Sequence, residues 1–236
     1  MAITDESNYA DGAKVLPFYI VCDESASMDH NGGIDAINES LPDLHATISA
    51  DPLVNDKTRI ALVSFSSEAQ VLVPLCAAAD IDEMPGVTAT GSTRYGAVFE
   101  LLKRVITDDG TMLRSDGYQV LRPTVFFVSD GEPTDEGDWE TPHAELTDKN
   151  SNPWAVNIIA FGVDSADRNT ISRVATLPEG AFESSKGSAP AAALKKMIPA
   201  ITKSIIKSGS QSVPQLVLPK EGDGFNVIDL DVIDEG

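Results

Sequence analysis

Five short runs of hydrophobic residues along the chain have the length and composition of buried β-strands. They are rich in Val, Ile and Phe, most lack strict alternation with polar residues, and they cover residues 15–22, 59–65, 70–76, 121–129 and 155–162. Such runs are typical of strands that are covered on both faces. Amphipathic segments of helical length lie between or after them, at 34–48, 96–107, 141–150, 168–176 and 190–208. This alternation predicts an α/β fold with a mostly parallel sheet and helices on both faces.

The second and third hydrophobic runs are separated only by the short link 66–69. A parallel connection between neighbouring strands needs about a dozen residues or more, so this pair is predicted to form an antiparallel hairpin. We therefore expect a mostly parallel sheet with one antiparallel edge strand.

The chain divides into one large domain and two flanking segments. The strand and helix patterns fill residues 15–209, with an N-terminal extension at 1–14 and an acidic C-terminal tail at 210–236. The tail begins with Gly, Ser and Pro and becomes acidic later, which is typical of a solvated, disordered segment. Apolar and acidic residues alternate from 228 to 232, however. A strand that pairs with a sheet edge or with a partner is therefore an equal alternative.

The region just before the acidic tail is basic. Between 186 and 220 every charged residue is a lysine, and four of these lie on the last predicted helix: Lys195, Lys196, Lys203 and Lys207. One interpretation is a solvated helix face with cations near the C-terminus, where the helix dipole favours them. The other is a docking site for an acidic surface, either that of a partner or that of the acidic tail of this chain.

The charge of the chain restricts the ligands that it can bind. Acidic residues outnumber basic ones by 37 to 17, which gives a formal net charge of −20. Such a charge repels nucleic acids and anionic membranes, and it favours divalent cations and basic partners. The N-terminus lacks the pattern of a signal peptide, and no apolar run approaches the roughly 20 residues of a membrane span. With Cys22 and Cys76 expected as reduced, buried thiols, these features predict a cytoplasmic protein.

Oxygen-bearing side chains follow two predicted strands and precede one predicted helix. Asp23, Ser25 and Ser27 alternate where the first strand ends, Thr93 lies in a loop with glycines, and Asp130 follows the fourth strand. Each motif alone is more typical of a helix cap or turn. Ligands of open α/β sheets bind beyond the carboxyl ends of the strands, so we expect the five side chains to converge there. Carboxylate and hydroxyl oxygens suit Mg²⁺ or Mn²⁺, with Ca²⁺ less favoured.

Together, these motifs resemble the metal-ion-dependent adhesion site of von Willebrand factor A domains. The sequences that carry the resemblance are D-x-S-x-S at 23–27, TGSTRYG around Thr93 and SDGEPTD around Asp130. The resemblance extends over about residues 15–208 in the motif order of the family, and the wording of the motifs is similar to that of bacterial tellurium-resistance proteins of the TerY type.

This resemblance implies a Rossmann-like, doubly wound fold. It also implies one divalent metal held through direct and water-mediated contacts by five residues: Asp23, Ser25, Ser27, Thr93 and Asp130. In such a site, an acidic side chain of a protein partner completes the coordination of the metal.

No catalytic motif accompanies this site. A phosphatase of the haloacid-dehalogenase type needs a second Asp where this chain has Ser25, and the phosphate-loop, nucleophile-elbow and zinc-protease motifs are missing. His30, His45 and His143 are scattered and are predicted to be surface residues. We therefore predict a cytosolic, metal-dependent protein-interaction module that is not an enzyme, in a tellurite-resistance or stress-response system. Two alternatives stay open: a scaffold subunit for a neighbouring ATPase, kinase or phosphatase, and a metal-dependent hydrolase.

Overall fold

The structure is a computed structural model, and it describes residues 12–30, 32–130, 133–135, 137–164, 166–185, 188–220 and 225–228. Its strands are β1 (Lys14–Asp23), β2 (Thr58–Phe65), β3 (Ala69–Cys76), β4 (Gln119–Val120), β5 (Thr124–Ser129), β6 (Asn157–Gly162), β7 (Ala181–Ser184) and β8 (Phe225–Val227). Its helices are α1 (Ser27–His30), α2 (Gly33–Ser49), α3 (Pro52–Lys57), α4 (Tyr95–Ser115), α5 (Glu140–Thr147), α6 (Arg168–Val174) and α7 (Pro190–Gly209), with a 3₁₀ turn at Ala78–Asp80.

The strands form one sheet in the order β3-β2-β1-β5-β6-β7-β8, with β4 paired to the start of β1. The pairs from β2 to β7 are parallel, and β3 is antiparallel to β2 at one edge. The predicted α/β fold class and the antiparallel edge strand are therefore confirmed. At the opposite edge, β8 is antiparallel to β7.

Successive residues of β1 enter two different hydrophobic cores because side chains alternate between the faces of a sheet. Phe18 and Ile20 belong to the core covered by α2 and α7, whereas Tyr19 and Val21 belong to the core covered by α4, α5 and α6. The strand is consequently apolar on both faces, which explains its continuous hydrophobic run. Among the described residues, no helix is both long and apolar enough to cross a membrane.

After α7 the chain turns back and runs along that helix. The Ser204 hydroxyl donates to the carbonyl oxygen of Val217, and the backbone N–H of Val217 donates to the Ser208 hydroxyl at 2.9 Å. Leu216 and Leu218 pack against the α2/α7 core. This part of the predicted tail thus covers hydrophobic surface of the domain.

The described chain ends beside the start of β7, where the backbone N–H of Ile228 donates to the Ala181 carbonyl at 2.8 Å. Strand β8 lies within the predicted tail, but it covers Phe225–Val227 and so precedes the alternation at 228–232 that suggested a strand. Tail residues 221–224 and 229–236, and most of the predicted N-terminal extension, 1–11, lie outside the described residues. Of the basic side chains on α7, Lys195 forms an ion pair of 2.6 Å with Glu39 of α2.

Candidate metal site

The carboxyl ends of two neighbouring strands bring the predicted carboxylates together. Strands β1 and β5 are paired in parallel, with Cys22 opposite Val128. Asp23 is the last residue of β1, and Asp130 follows the last residue of β5. The register of the sheet therefore places both carboxylates at the same edge, although they are far apart in sequence.

Hydrogen bonds connect four of the five predicted residues. The backbone N–H of Ser25 donates to Asp23 Oδ1 at 2.8 Å, and the hydroxyls of Ser25 and Ser27 lie 3.0 Å apart. The Ser27 hydroxyl donates to Asp130 Oδ1 at 2.9 Å. The second oxygen of Asp23, Oδ2, accepts a hydrogen bond of 2.6 Å from the hydroxyl of Ser129. The two carboxylates and the two serine hydroxyls thus form one continuous polar network.

Thr93, the fifth predicted residue, is brought to this edge by the backbone of its loop. The N–H of Thr90 donates to the Glu24 carbonyl at 2.7 Å, which joins the loop to the segment after β1. The carbonyl of Thr93 accepts hydrogen bonds from the N–H of Thr134 at 2.7 Å and from the Thr134 hydroxyl at 3.0 Å. Thr93 is buried in the structure. Its loop is therefore held between the segments that carry Asp23 and Asp130.

Asp135 is a functional candidate that the sequence did not reveal. Its two carboxylate oxygens accept hydrogen bonds from the backbone N–H groups of Tyr95, at 3.0 Å, and Gly96, at 2.8 Å. Helix α4 begins at Tyr95, and Arg94 at its N-cap position forms no capping hydrogen bond through its side chain. Asp135 thus supplies the cap from another loop, and it fixes the Thr93 loop to the Asp130 loop. No local pattern indicates this, because a cap is normally sought just before its helix.

The site concentrates negative charge in a buried environment. Burial raises the pKa of Asp23 to about 6, although hydrogen bonds from Ser129 and Ser25 oppose the shift, and the charge of Asp130 adds to it. Burial also raises the pKa of Asp130, and the nearby charge of Asp164 contributes. Asp164 follows β6, so a third strand end brings a carboxylate towards the site. Without a cation, these carboxylates repel one another and are poorly solvated.

The donor set fits a hard divalent cation. It combines two carboxylates with hydroxyl groups, which are oxygen ligands of the kind that Mg²⁺ and Mn²⁺ prefer. Within the described part of the chain, no group of three or more His, Cys, Asp and Glu side chains is arranged to hold a metal ion. A cation at this edge would therefore depend on the hydroxyls of Ser25, Ser27 and Thr93 as well as on the two carboxylates.

The prediction that the histidines lie at the surface is wrong for two of them. The ring Nε2 of His45 is 2.9 Å from the Ala78 carbonyl, and that of His143 is 2.9 Å from the Val174 carbonyl. His143 also packs edge-on against the ring of Phe99, at a centroid distance of 5.0 Å. Both side chains are half-buried and connect helices to neighbouring segments. The side chain of His30 lies outside the described part.

Comparison with known proteins gives both a family and a fold. The family model described as "von Willebrand factor type A domain" matches residues 18–197. The sequence matches no curated protein.

Three solved structures illustrate the similarity of fold. Proximal thread matrix protein 1 from the mussel byssus has a zinc-occupied MIDAS motif, where MIDAS stands for metal-ion-dependent adhesion site. It is 13% identical with a TM-score of 0.58, over 83% of this chain and 49% of that chain. A von Willebrand factor type A protein from Catenulispora acidiphila is 15% identical with a TM-score of 0.56, over 82% and 43%. The pilus adhesin SpaC from Lactobacillus rhamnosus GG is 14% identical with a TM-score of 0.63, over 83% and 31%. This chain therefore spans half or less of the length of these proteins, and the likeness is one of fold.

Proposed function

Because this chain belongs to the von Willebrand factor type A domain family, a family of interaction modules, we propose that it binds a protein partner through a divalent cation at the end of β1 and β5. The observation that carries the proposal is the network in which Ser27 joins Ser25 to Asp130 while Asp23 lies beside them. Hydroxyls and carboxylates from separate loops converge there without a basic residue among the five candidates. The zinc-occupied MIDAS motif of the mussel protein gives a precedent in the same fold.

The proposed ligands are Asp23, Ser25, Ser27, Thr93 and Asp130, and the proposed metal is Mg²⁺ or Mn²⁺. A divalent cation bound there supplies positive charge that offsets the two carboxylates and attracts an Asp or Glu of the partner. The role of the chain is to hold its oxygen donors in place. Ser129 fixes one oxygen of Asp23, the backbone of Ser25 fixes the other, and Asp135 anchors the loop of Thr93.

Calorimetric titration with Mn²⁺ tests the site. The wild-type chain should bind one Mn²⁺, and Asp130→Ala should abolish this binding because it removes one of two carboxylates. Asp82→Ala is the matched control, since Asp82 is an exposed residue of the loop between β3 and α4. Circular dichroism should show that both variants remain folded. Unchanged Mn²⁺ binding by Asp130→Ala would contradict the assignment.

We propose that the chain acts by binding, without turnover of a substrate. The candidate site supplies carboxylates whose hydrogen bonds tie them to Ser25, Ser27 and Ser129. These bonds suit fixed ligands rather than groups that exchange protons with a substrate. The expected result is no phosphatase or nuclease activity with Mn²⁺ above that of Asp130→Ala. Activity that disappears in this variant would favour the hydrolase alternative.

We further propose a cytosolic setting in a tellurite-resistance or stress-response system. This proposal is supported by the similarity of the motif sequences at 20–28 and 129–135 to those of TerY-type proteins. It is also supported by two free thiols, Cys22 and Cys76, which suit a reducing compartment. Deletion of the gene should lower tellurite tolerance in the host, and a wild-type copy should restore it where an Asp130→Ala copy does not. Equal tolerance with and without the gene would remove this setting and leave the metal site untouched.

A further inference from the structure

A polar cavity lies beside the candidate metal site. Its volume is about 300 Å³, and it opens between the turn that joins β2 to β3 and the loop before α4. We name it the Glu24 pocket, and its polar lining residues are Glu24, Ser66, Ser67, Glu68, Gln70 and Thr90. Glu24 stands between Asp23 and Ser25, so the pocket and the candidate metal site share the segment after β1.

Glu24 carries a buried carboxylate whose charge is poorly compensated. Its residue exposure is 5%, and Oε1 accepts one long hydrogen bond, 3.3 Å, from the amide of Gln70. None of the described residues forms an ion pair with Glu24. A buried carboxylate is costly unless a cation or several donors satisfy it. The neutral amide of Gln70 is a weak substitute for a cation, and Gln70 is exposed to solvent.

The walls of the Glu24 pocket are fixed by the backbone. The Ser67 hydroxyl accepts a hydrogen bond of 3.0 Å from the N–H of Ser92, and the N–H of Arg94 donates to the Ser66 carbonyl at 3.0 Å. Gly91 has a φ of +67°, and a Cβ there would lie 2.5 Å from Ser67 Oγ. The two loops therefore meet too closely for a side chain at this position. The cavity is part of the fold and does not require a ligand to form.

The chemistry of the lining selects a cation. Glu24 and Glu68 are negative, the other polar groups are neutral hydroxyls and an amide, and the whole chain carries a formal charge of −20. A cavity of about 300 Å³ is at the small end of ligand pockets, and it suits the end of a long side chain better than a bare metal ion. The pocket offers only two carboxylates, and that of Glu68 is exposed. Among the described residues, no group of three or more His, Cys, Asp and Glu side chains could hold a metal ion, and this pocket is no exception.

We infer that the Glu24 pocket receives the ammonium or guanidinium group of a partner's lysine or arginine, from the same segment whose acidic side chain reaches the metal. This inference rests on the proposed function and specifies the partner: an acidic residue with a basic residue nearby in space. The cation replaces the Gln70 amide and forms a charge-assisted hydrogen bond with Glu24. The metal then binds the acidic side chain of the partner while Glu24 binds the basic one, and the two contacts together fix the orientation of the partner.

The experiment is a selection of peptides from a library with one invariant Asp flanked by random residues. Immobilised protein is loaded with Mn²⁺, and bound peptides are eluted with EDTA. The wild-type chain should enrich Lys or Arg at one or more positions. Glu24→Gln should lose this enrichment, because it keeps the shape of the side chain without its charge. Glu83→Gln, which changes the same charge in the exposed loop after β3, should keep it.

Calorimetry then measures one enriched peptide against a version with norleucine in place of lysine, with saturating Mn²⁺. The wild-type chain and Glu83→Gln should prefer lysine by about fivefold or more, whereas Glu24→Gln should show no preference. Two results would overturn the inference and leave the proposed function standing. One is that peptides bind in a metal-dependent way without enrichment of Lys or Arg, and the other is that the preference for lysine persists in Glu24→Gln. A second Mn²⁺ per chain that Glu24→Gln removes would also overturn it. If EDTA elutes no peptide at all, the proposed function fails and the inference fails with it.

Discussion

Replacement of Asp23 by asparagine should stabilise the metal-free protein, because it removes a charge that the fold buries. Asp23 is fully buried, and its pKa is raised from 3.8 to about 6. The asparagine oxygen still accepts from the N–H of Ser25, and its NH₂ group donates to the Ser129 hydroxyl, which can accept as well as donate. The variant therefore keeps the two hydrogen bonds and loses only the charge.

The magnitude follows from the shift in pKa. A rise of about two units, at about 1.4 kcal/mol each, corresponds to about 3 kcal/mol against the ionised form. Because an amide also loses some hydration on burial, we expect a gain of about 1–3 kcal/mol in the free energy of unfolding at pH 7.5.

The sign of the pH dependence follows from the same shift. A carboxyl with a raised pKa binds its proton more tightly in the folded state, so its favourable contribution is complete below about pH 4 and is lost as the pH rises through 6. The difference between Asp23→Asn and wild type should consequently be small below pH 4 and largest above pH 6. His143 is common to both proteins, so its titration cancels in this difference, whereas Asp130 is coupled to Asp23 and adds to it.

Urea unfolding in EDTA, followed by tryptophan fluorescence at several pH values, measures the effect. Asp82→Asn is the matched control, since it removes an exposed charge. Addition of Mn²⁺ should reverse the order of stability, because only the wild-type chain gains free energy from metal binding. If Asp23→Asn is less stable than wild type in EDTA at pH 7.5, the buried carboxylate is stabilised by contacts that this reasoning omits.

Three further predictions concern the frame of the site and the core. Asp135→Ala should cost about 1–2 kcal/mol and weaken Mn²⁺ binding, since α4 loses its cap; unchanged urea unfolding would contradict this. Gly110→Ala should destabilise by about 1–3 kcal/mol, because a Cβ would lie 2.5 Å from the ring of Trp154; a higher melting temperature would refute the packing argument. Burial raises the pKa of Cys22 to about 12, so a thiol reagent at pH 7.5 should label only Cys76 in the folded chain and both thiols in urea; rapid labelling of both when folded would disprove it.

Sequence patterns predicted the elements that are specified by their own residues, without knowledge of which other segments they contact. The continuous hydrophobic run of β1 reflects burial on both faces, and the short link after β2 allows only a hairpin. The carboxylates at the ends of β1 and β5 were predictable for the same reason, because parallel strands place their carboxyl ends at one edge of the sheet.

Tertiary contacts decided what the patterns missed. The helix expected at 96–107 continues to Ser115 as α4, through Asp108, Asp109 and Gly110, which are more typical of a turn. Within the helix, Asp109 accepts a hydrogen bond of 2.8 Å from the Tyr19 hydroxyl. At Gly110, the Trp154 ring leaves no room for a Cβ. Strand β7 is too short to produce a recognisable pattern, and its neighbours in the sheet define it.

The position of β8 bears on whether the tail can block the candidate site. Because β8 runs antiparallel to β7, the chain at Ile228 runs away from the edge of the sheet that carries Asp23. An acidic tail that reached the metal would therefore have to reverse its direction after Ile228. A truncation after Gly209 would also remove Leu216 and Leu218, which pack against the α2/α7 core, so it would not isolate an effect of the acidic residues on the site.

The hydrogen bond from Ser129 to Asp23 joins residues that are 106 positions apart in the chain. During translation, the D-x-S-x-S segment leaves the ribosome long before β5 does, so a nascent chain carries this motif before Ser129 and Asp130 are there to complete the site. A prematurely terminated product that lacks β5 would contain the most recognisable motif of the family and have no means of positioning it. Metal binding thus depends on the central pairing of β1 with β5, because only a chain in which both strands have formed presents two carboxylates to a cation.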